Sequence, residues 1–297
     1  MRPYLQMLVS AMSFAVMGAF AHGARGMCDW QVIALSRSLL AVMLAALLAF
    51  ASGASLVYFR PRTLWMRSIA GSISVMCNFY ALTALPIADA LTLSNMYPIW
   101  IAVLSWPLLG EVPEREVWFG VVCGMAGVVL MQQPYLAEGN MGTVAATLGS
   151  VTSAIALIGL HRLKGIDPNA IVVHFSVVSI LFLLGSLFFW PTAHELGPQL
   201  SLSGTLPFFL LAVGVFATIG QLLLTRALAS GVPARVAIVG LSQVAFAVVL
   251  DIVLWGRQFE PQTLLGMFLV LVPTAWFILR PKGVKSSGPS QPLTEEA

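Results

Sequence analysis

Charge is the scarcest commodity in this chain. Only 9% of its 297 residues are Asp, Glu, Lys or Arg, against about 25% in an average soluble domain. Length alone allows one or two soluble domains, but too little charge is present to cover their surfaces. Cysteine is equally sparse. Cys28, Cys77 and Cys123 have neither the spacing of a disulfide framework nor that of a metal motif, and the last two sit in apolar runs as small core residues. The four histidines, His22, His161, His174 and His194, lie far apart and form no motif, so no metal, no cofactor and no catalytic residue is expected. There is no basic stripe. The net charge of +3 is scattered over short loops, which argues against nucleic acid as a partner. Segments of about ten alternating residues, the mark of an outer-membrane barrel, are missing. Large extramembrane loops are missing as well, and with them the basis for a receptor or scaffold. The stretch GVVCGMAG at 120–127 follows no predicted strand and carries no Lys-Ser/Thr, so it reads as a helix-packing face and not as a phosphate loop.

What the chain does contain is apolar residue, 59% of the total, with a mean hydropathy of +0.91. Apolar runs of roughly 17–25 residues are candidates for crossing a bilayer. Ten are read: 4–21, 31–51, 68–85, 90–109, 117–132, 143–160, 170–190, 206–225, 236–255 and 263–279. The first resembles a secretory signal, with AFA at 19–21, but it is longer than a usual signal core and has a counterpart later in the chain, so it is kept as a helix. With the N-terminus in the cytoplasm, twelve Lys and Arg fall on the inner side and two, Arg25 and Arg257, on the outer. That bias and the even helix count both put the two termini in the cytoplasm. The reading is an all-α integral membrane protein of the inner (plasma) membrane.

The chain also repeats itself. YALTALPIADA resembles RALASGVPARV. A shift of 146 residues brings Gly110 onto Gly256 and Gly120 onto Gly266, and a shift of 140 brings Ser10 and Ser13 onto Ser150 and Ser153. Self-similarity at a fixed period marks a repeated unit. Five helices per unit is odd, so the second unit enters the membrane upside down, a device of secondary transporters. Units at 1–135 and 140–281 are expected, followed by a disordered cytoplasmic tail at 282–297. The segment from Phe79 to Leu130 is similar to the EamA domain of the drug/metabolite transporter superfamily. The likeness rests on Tyr80-Ala81-Leu82, the Pro-Ile-Ala turn, Pro98 inside the fourth helix, Gly110-Glu111 and Gly120 opening the fifth. The second unit departs from it, with Val244 at the proline position and Gly256-Arg257 for Gly-Glu. The resemblance implies a ten-helix basket whose cavity is lined by helices 1, 3, 4, 6, 8 and 9. It also implies solutes drawn from amino acids, sugars, vitamins, nucleotide-like metabolites and cations.

Polar side chains are costly in a bilayer core and usually face protein or a water-filled cavity. Helical spacing puts such residues on shared faces. Candidates for the cavity are Ser13, Asn78, Tyr80, Thr92, Asn95, Tyr97, Ser150, Gln221 and Gln243, with Pro98 as a conformational element. Packing between helices is the competing reading for the hydroxyl and glycine positions. Arg37, two turns into the second helix, and Asp89 and Asp251, near outer helix ends, are expected at the rim. No carboxylate maps to the midplane, so transport is read as uncoupled or as coupled through those rim acids. The function expected is alternating-access transport of a small amphipathic solute such as an amino acid, most simply outward. Uptake of a planar vitamin- or nucleobase-like solute is the alternative within transport, and a membrane-embedded enzyme or lipid-handling protein the alternative outside it. The partners expected are a small solute and the lipid bilayer, acting on a monomer, with a dimer left open.

Overall fold

A computed structural model describes residues 2–24, 27–57, 59, 61–85, 87–110, 112–134, 141–189, 204–256, 258 and 260–280. The tail at 282–297, Glu111, Arg25 and Arg257 lie outside the described residues. Among those described, regular structure is entirely helical. The helices are α1 (Arg2–Gly23), α2 (Trp30–Ala51), α3 (Arg62–Ala84), α4 (Ile87–Ser94), α5 (Tyr97–Leu109), α6 (Arg115–Gln132), α7 (Met141–His161), α8 (Pro168–Phe189), α9 (Leu206–Ser230), α10 (Pro233–Gly240), α11 (Ser242–Trp255) and α12 (Pro261–Leu279).

Eight spans are long and apolar enough to cross a membrane: α1, α2, α6, α7, α8, α9, α10 and α11 taken as one, and α12. The other two expected spans fall short for separate reasons. α3 carries Arg67, Ser68, Ser72, Ser74 and Asn78 along its length. The fourth is two pieces, an eight-residue α4 and a thirteen-residue α5. Large apolar side chains such as Leu47, Phe119 and Phe268 stay exposed all around the bundle. A soluble monomer rarely leaves so much apolar surface uncovered, whereas lipid covers it without cost.

The segmentation repeats. Adding 146 to α4 gives 233–240, the bounds of α10. The same shift carries α6 to 261–278, against Pro261–Leu279 for α12. α5 and α11 both end on a left-handed glycine, Gly110 at φ 70° and Gly256 at φ 64°, a conformation that only glycine adopts at no cost. Each break is made the same way. Met96 N–H donates to Leu93 (3.1 Å) and Ile99 N–H to Met96 (3.0 Å), while Leu241 N–H donates to Ile238 (3.1 Å) and Val244 N–H to Leu241 (3.0 Å). One tight three-residue turn therefore interrupts the helix in both places. The first break was legible from Pro98. The second, where the sequence reading had one continuous helix over 236–255, was not.

The principal packed pairs are α3 with α7, α1 with α9, α6 with α12 and α2 with α8; α2–α9, α3–α8, α1–α11 and α5–α7 follow. The α6–α12 crossing depends on glycine. A Cβ on Gly127 would meet the Gly266 carbonyl oxygen at 2.6 Å, and one on Gly266 would meet that of Gly127 at 2.7 Å. The GVVCGMAG face is thus a packing face, as small residues in membrane helices usually are.

Candidate functional site

The polar residues collect on α3, which faces α7 on one side and α8 on the other. Toward α7, Ser74 and Ser153 share a hydrogen bond of 2.5 Å and Asn78 Nδ2 donates to Ser74 Oγ at 3.3 Å. Ser94, the last residue of α4, donates to Asn78 Oδ1 at 3.0 Å. This approach requires Gly149 on α7, where any Cβ would collide with Asn78 Oδ1. One turn away, Trp100 Nε1 donates to Ser150 Oγ at 3.0 Å, and Ser150 Oγ donates to the Thr147 carbonyl. Asn78, Ser94 and Ser150 are therefore brought together where α3, α4, α5 and α7 meet.

The two helix breaks meet each other. Tyr97, first in α5, donates to the Ala237 carbonyl of α10 at 3.4 Å, and its hydroxyl, with the Met7 methyl, occupies the space that a Cβ on Gly240 would need. Asn95 turns its side chain back: Nδ2 donates to the Leu91 carbonyl at 2.7 Å, the same oxygen that accepts Asn95 N–H. Pro98, which has no N–H, leaves the Ser94 carbonyl without its helical donor. Thr92 Oγ1 and Gln221 Nε2 are buried without a hydrogen-bond partner, and such atoms are rare in native interiors.

The remaining candidates are dispersed. Ser13 is buried and closes on its own helix at the Val9 carbonyl, whereas Ser10 reaches across to the Gly220 carbonyl of α9 at 2.7 Å. Tyr80, Gln243 and Asp251 are half-buried. Asp89 departs from the rim position read from sequence: it is only 1% exposed, in the first turn of α4, where the helix dipole favours a carboxylate. Arg37 pairs with neither acid and lines a narrow crevice between α2, α3, α8 and α9, together with Ser38, Phe175, Ser176 and Gln221.

Arg67 is the residue that sequence reasoning missed, because it was counted with the inner loops. It is 3% exposed inside α3, its guanidinium 3.8 Å from the Phe175 ring centre. The signal was present: Arg67, Gly71, Ser74 and Asn78 fall at helical spacing on one face. Toward α8 the same helix adds Ser68 to His174 Nδ1 (2.8 Å) and Ser72 to Ser179 (2.9 Å).

Both ends of α1 are tied down. Near its start, Tyr4 lies beside Arg235. Arg235, 2% exposed, reaches Glu114 at 2.5 Å and Glu116 at 3.6 Å from α10. Near its end, Phe20 packs with Phe208, Phe209 and Phe216 of α9. Beyond that end, burial, and secondarily the Asp29 carboxylate, push the Cys28 thiol above its ordinary value.

Polar groups threaded through a lipid-covered bundle, with two interrupted spans meeting at its centre, are parts of a solute carrier. The model of the EamA-like transporter family matches this chain twice, over 1–132 and 140–279. The chain belongs to that family. A relative named pseudopaline exporter CntI, from Pseudomonas aeruginosa, is 27% identical over 271 residues, which is 89% of this chain and 92% of that protein. Solute carrier family 35 member G1 of Mus musculus is 24% identical over 73% of this chain and 61% of its own length. One crystal structure superposes with a TM-score of 0.79 at 16% identity, covering 93% of this chain and 96% of the other, and so shares the fold. The EamA-like chain is a multi-pass membrane protein and a membrane transporter.

Proposed function

We propose that the protein is a secondary transporter of ten spans arranged as two inverted five-helix repeats. On this reading it works by alternating access and moves a small amphipathic, amino-acid-like solute outward across the inner (plasma) membrane. The observation that carries this reading is the exchange symmetry of the packing. Replace α1 by α7, α2 by α8, α3 by α9, α4–α5 by α10–α11 and α6 by α12, in both directions. The α3–α7 contact then becomes α9–α1, α2–α9 becomes α8–α3, and α5–α7 becomes α11–α1, all of which are packed pairs. Such a molecule has two nearly equivalent packings, one open to each side, with discontinuous helices around the site. The Arg235–Glu114–Glu116 cluster and the Phe20 cluster, at opposite ends of α1, are the two closures that would open in turn. The polar group around Asn78, Ser94 and Ser150, beside Tyr97 and Pro98, is the proposed cavity wall. Without Arg67, eleven Lys and Arg on one side against two on the other favour cytoplasmic termini. A relative named as an exporter favours outward movement.

The test is counterflow. Proteoliposomes preloaded with one unlabelled amino acid are placed in a trace of the labelled one. A transient overshoot of label above the protein-free control is the expected outcome for at least one member of a standard amino-acid panel. A flat trace across the panel in correctly oriented, folded protein would refute the amino-acid-like assignment.

A further inference from the structure

Among the described residues, Arg37 and Arg67 are cations set more than one turn inside their helices and paired with no carboxylate. Arg37 lies about 10 Å from the start of α2 and Arg67 about 7 Å from the start of α3, at 1.5 Å per residue. Arg67 Nε and Nη1 are buried without any hydrogen-bond partner, and the two guanidiniums repel one another across the core. Phe175 joins them, since it carries the Arg67 guanidinium on its face and lines the crevice that Arg37 enters. Gln221, 5% exposed, lines the same crevice with Nε2 buried and unpartnered. Burying like charges without a counter-charge is strongly unfavourable, and intramembrane cations usually mark a ligand path.

We propose that this crevice is an anion site and that its ligand is the carboxylate of a small organic acid. That this carboxylate belongs to the transported solute rests on the transport reading above. The chemistry follows from what is unsatisfied. The crevice lining holds the donor-only Arg37 guanidinium and the unpartnered Gln221 Nε2, with the unpartnered Arg67 Nε and Nη1 outside the lining on the Phe175 ring, so the matching ligand group is acceptor-only. A deprotonated carboxylate is acceptor-only, whereas monohydrogen phosphate also carries an O–H that needs an acceptor. Guanidinium forks fit planar carboxylates best. Ala41, Val75, Phe175 and Ala217 give the crevice its apolar wall.

The test uses the purified full-length protein. Thermal unfolding is followed against acetate, succinate and L-glutamate, against the amide of each acid, and against inorganic phosphate. It is repeated in nanodiscs of phosphatidylcholine with and without phosphatidylglycerol. At least one acid is expected to raise Tm saturably while its amide does not. Arg37→Gln and Arg67→Lys are each expected to weaken that binding about tenfold or more. Arg37 is half-exposed, so its variant keeps the test open if Arg67→Lys does not fold. The inference is overturned if acid and amide act alike, if the shift survives in Arg37→Gln, or if phosphate or phosphatidylglycerol is the sole Arg-dependent stabiliser. Arg-dependent binding with no counterflow of any solute would uphold the anion site and remove the transport reading. Counterflow at the wild-type rate in Arg37→Gln would do the reverse.

Discussion

Asn78 ties α3 to α4 and lies against α7. It accepts from Ser94, donates to Ser74 and occupies space that only Gly149 leaves free. Gly149→Ala must therefore push the amide away and break the link between α3 and α4. A loss of about 1–3 kcal/mol is expected from overpacking, read as a lowered Tm, with transport reduced more than stability alone explains. Asn78→Ala leaves the Ser94 hydroxyl without its acceptor, while Ser74 keeps Ser153, and removes a group from the proposed cavity wall. It is expected to fold, at a cost of about 1–2 kcal/mol, and to transport about tenfold more slowly in the counterflow assay. Wild-type rates in that variant would remove Asn78 from the cavity. At the closed end, Glu114→Gln takes away the nearest counter-charge of buried Arg235. Glu114 is itself half-exposed and Glu116 remains, so the expected loss is about 1–2 kcal/mol, less than for a fully buried pair.

The helices explain which features the sequence disclosed. Ten apolar runs were read, and eight of them are helices long and apolar enough to cross a membrane, α3 and the α4–α5 pair being the other two. The fourth-span break was anticipated from Pro98, since a residue without an N–H cannot continue the ladder. Its partner at Leu241 was hidden, because Val244 stands where the proline would be and no local signal marks the turn. Tertiary packing makes it instead: Gly240 leaves room for Tyr97, and Leu241 is wedged against α6 at Gly124. Pro98→Val is therefore expected to keep both the break and the fold, with Tm changed by less than about 1.5 kcal/mol equivalent. A large loss would make the proline itself the cause. Arg67 was concealed by position, because an arginine near a helix start reads as a loop residue until the helix is seen to begin at Arg62. Asp89 was misjudged for the opposite reason: neighbouring helices cover it, a fact that helix-end counting does not reveal.

For the molecule as a whole, the reciprocal crossing of Gly127 and Gly266 joins α6 and α12 backbone to backbone. Gly127→Val sets a side chain against a carbonyl oxygen and is expected to lower Tm sharply or abolish folding, while Gly18→Ala, with nothing near its Cβ, is expected to be silent. The central claim is that one polar centre is reached in turn from each side of the membrane. It is tested most directly by sided accessibility. Asn78→Cys is introduced after Cys28, Cys77 and Cys123 are replaced by Ala. It is then challenged with a membrane-impermeant thiol reagent from the inside or the outside of oriented proteoliposomes. The account predicts labelling from both sides, in separate experiments, of one protein population, with either reagent blocking the other. Labelling from one side alone, under every solute condition tried, would contradict it.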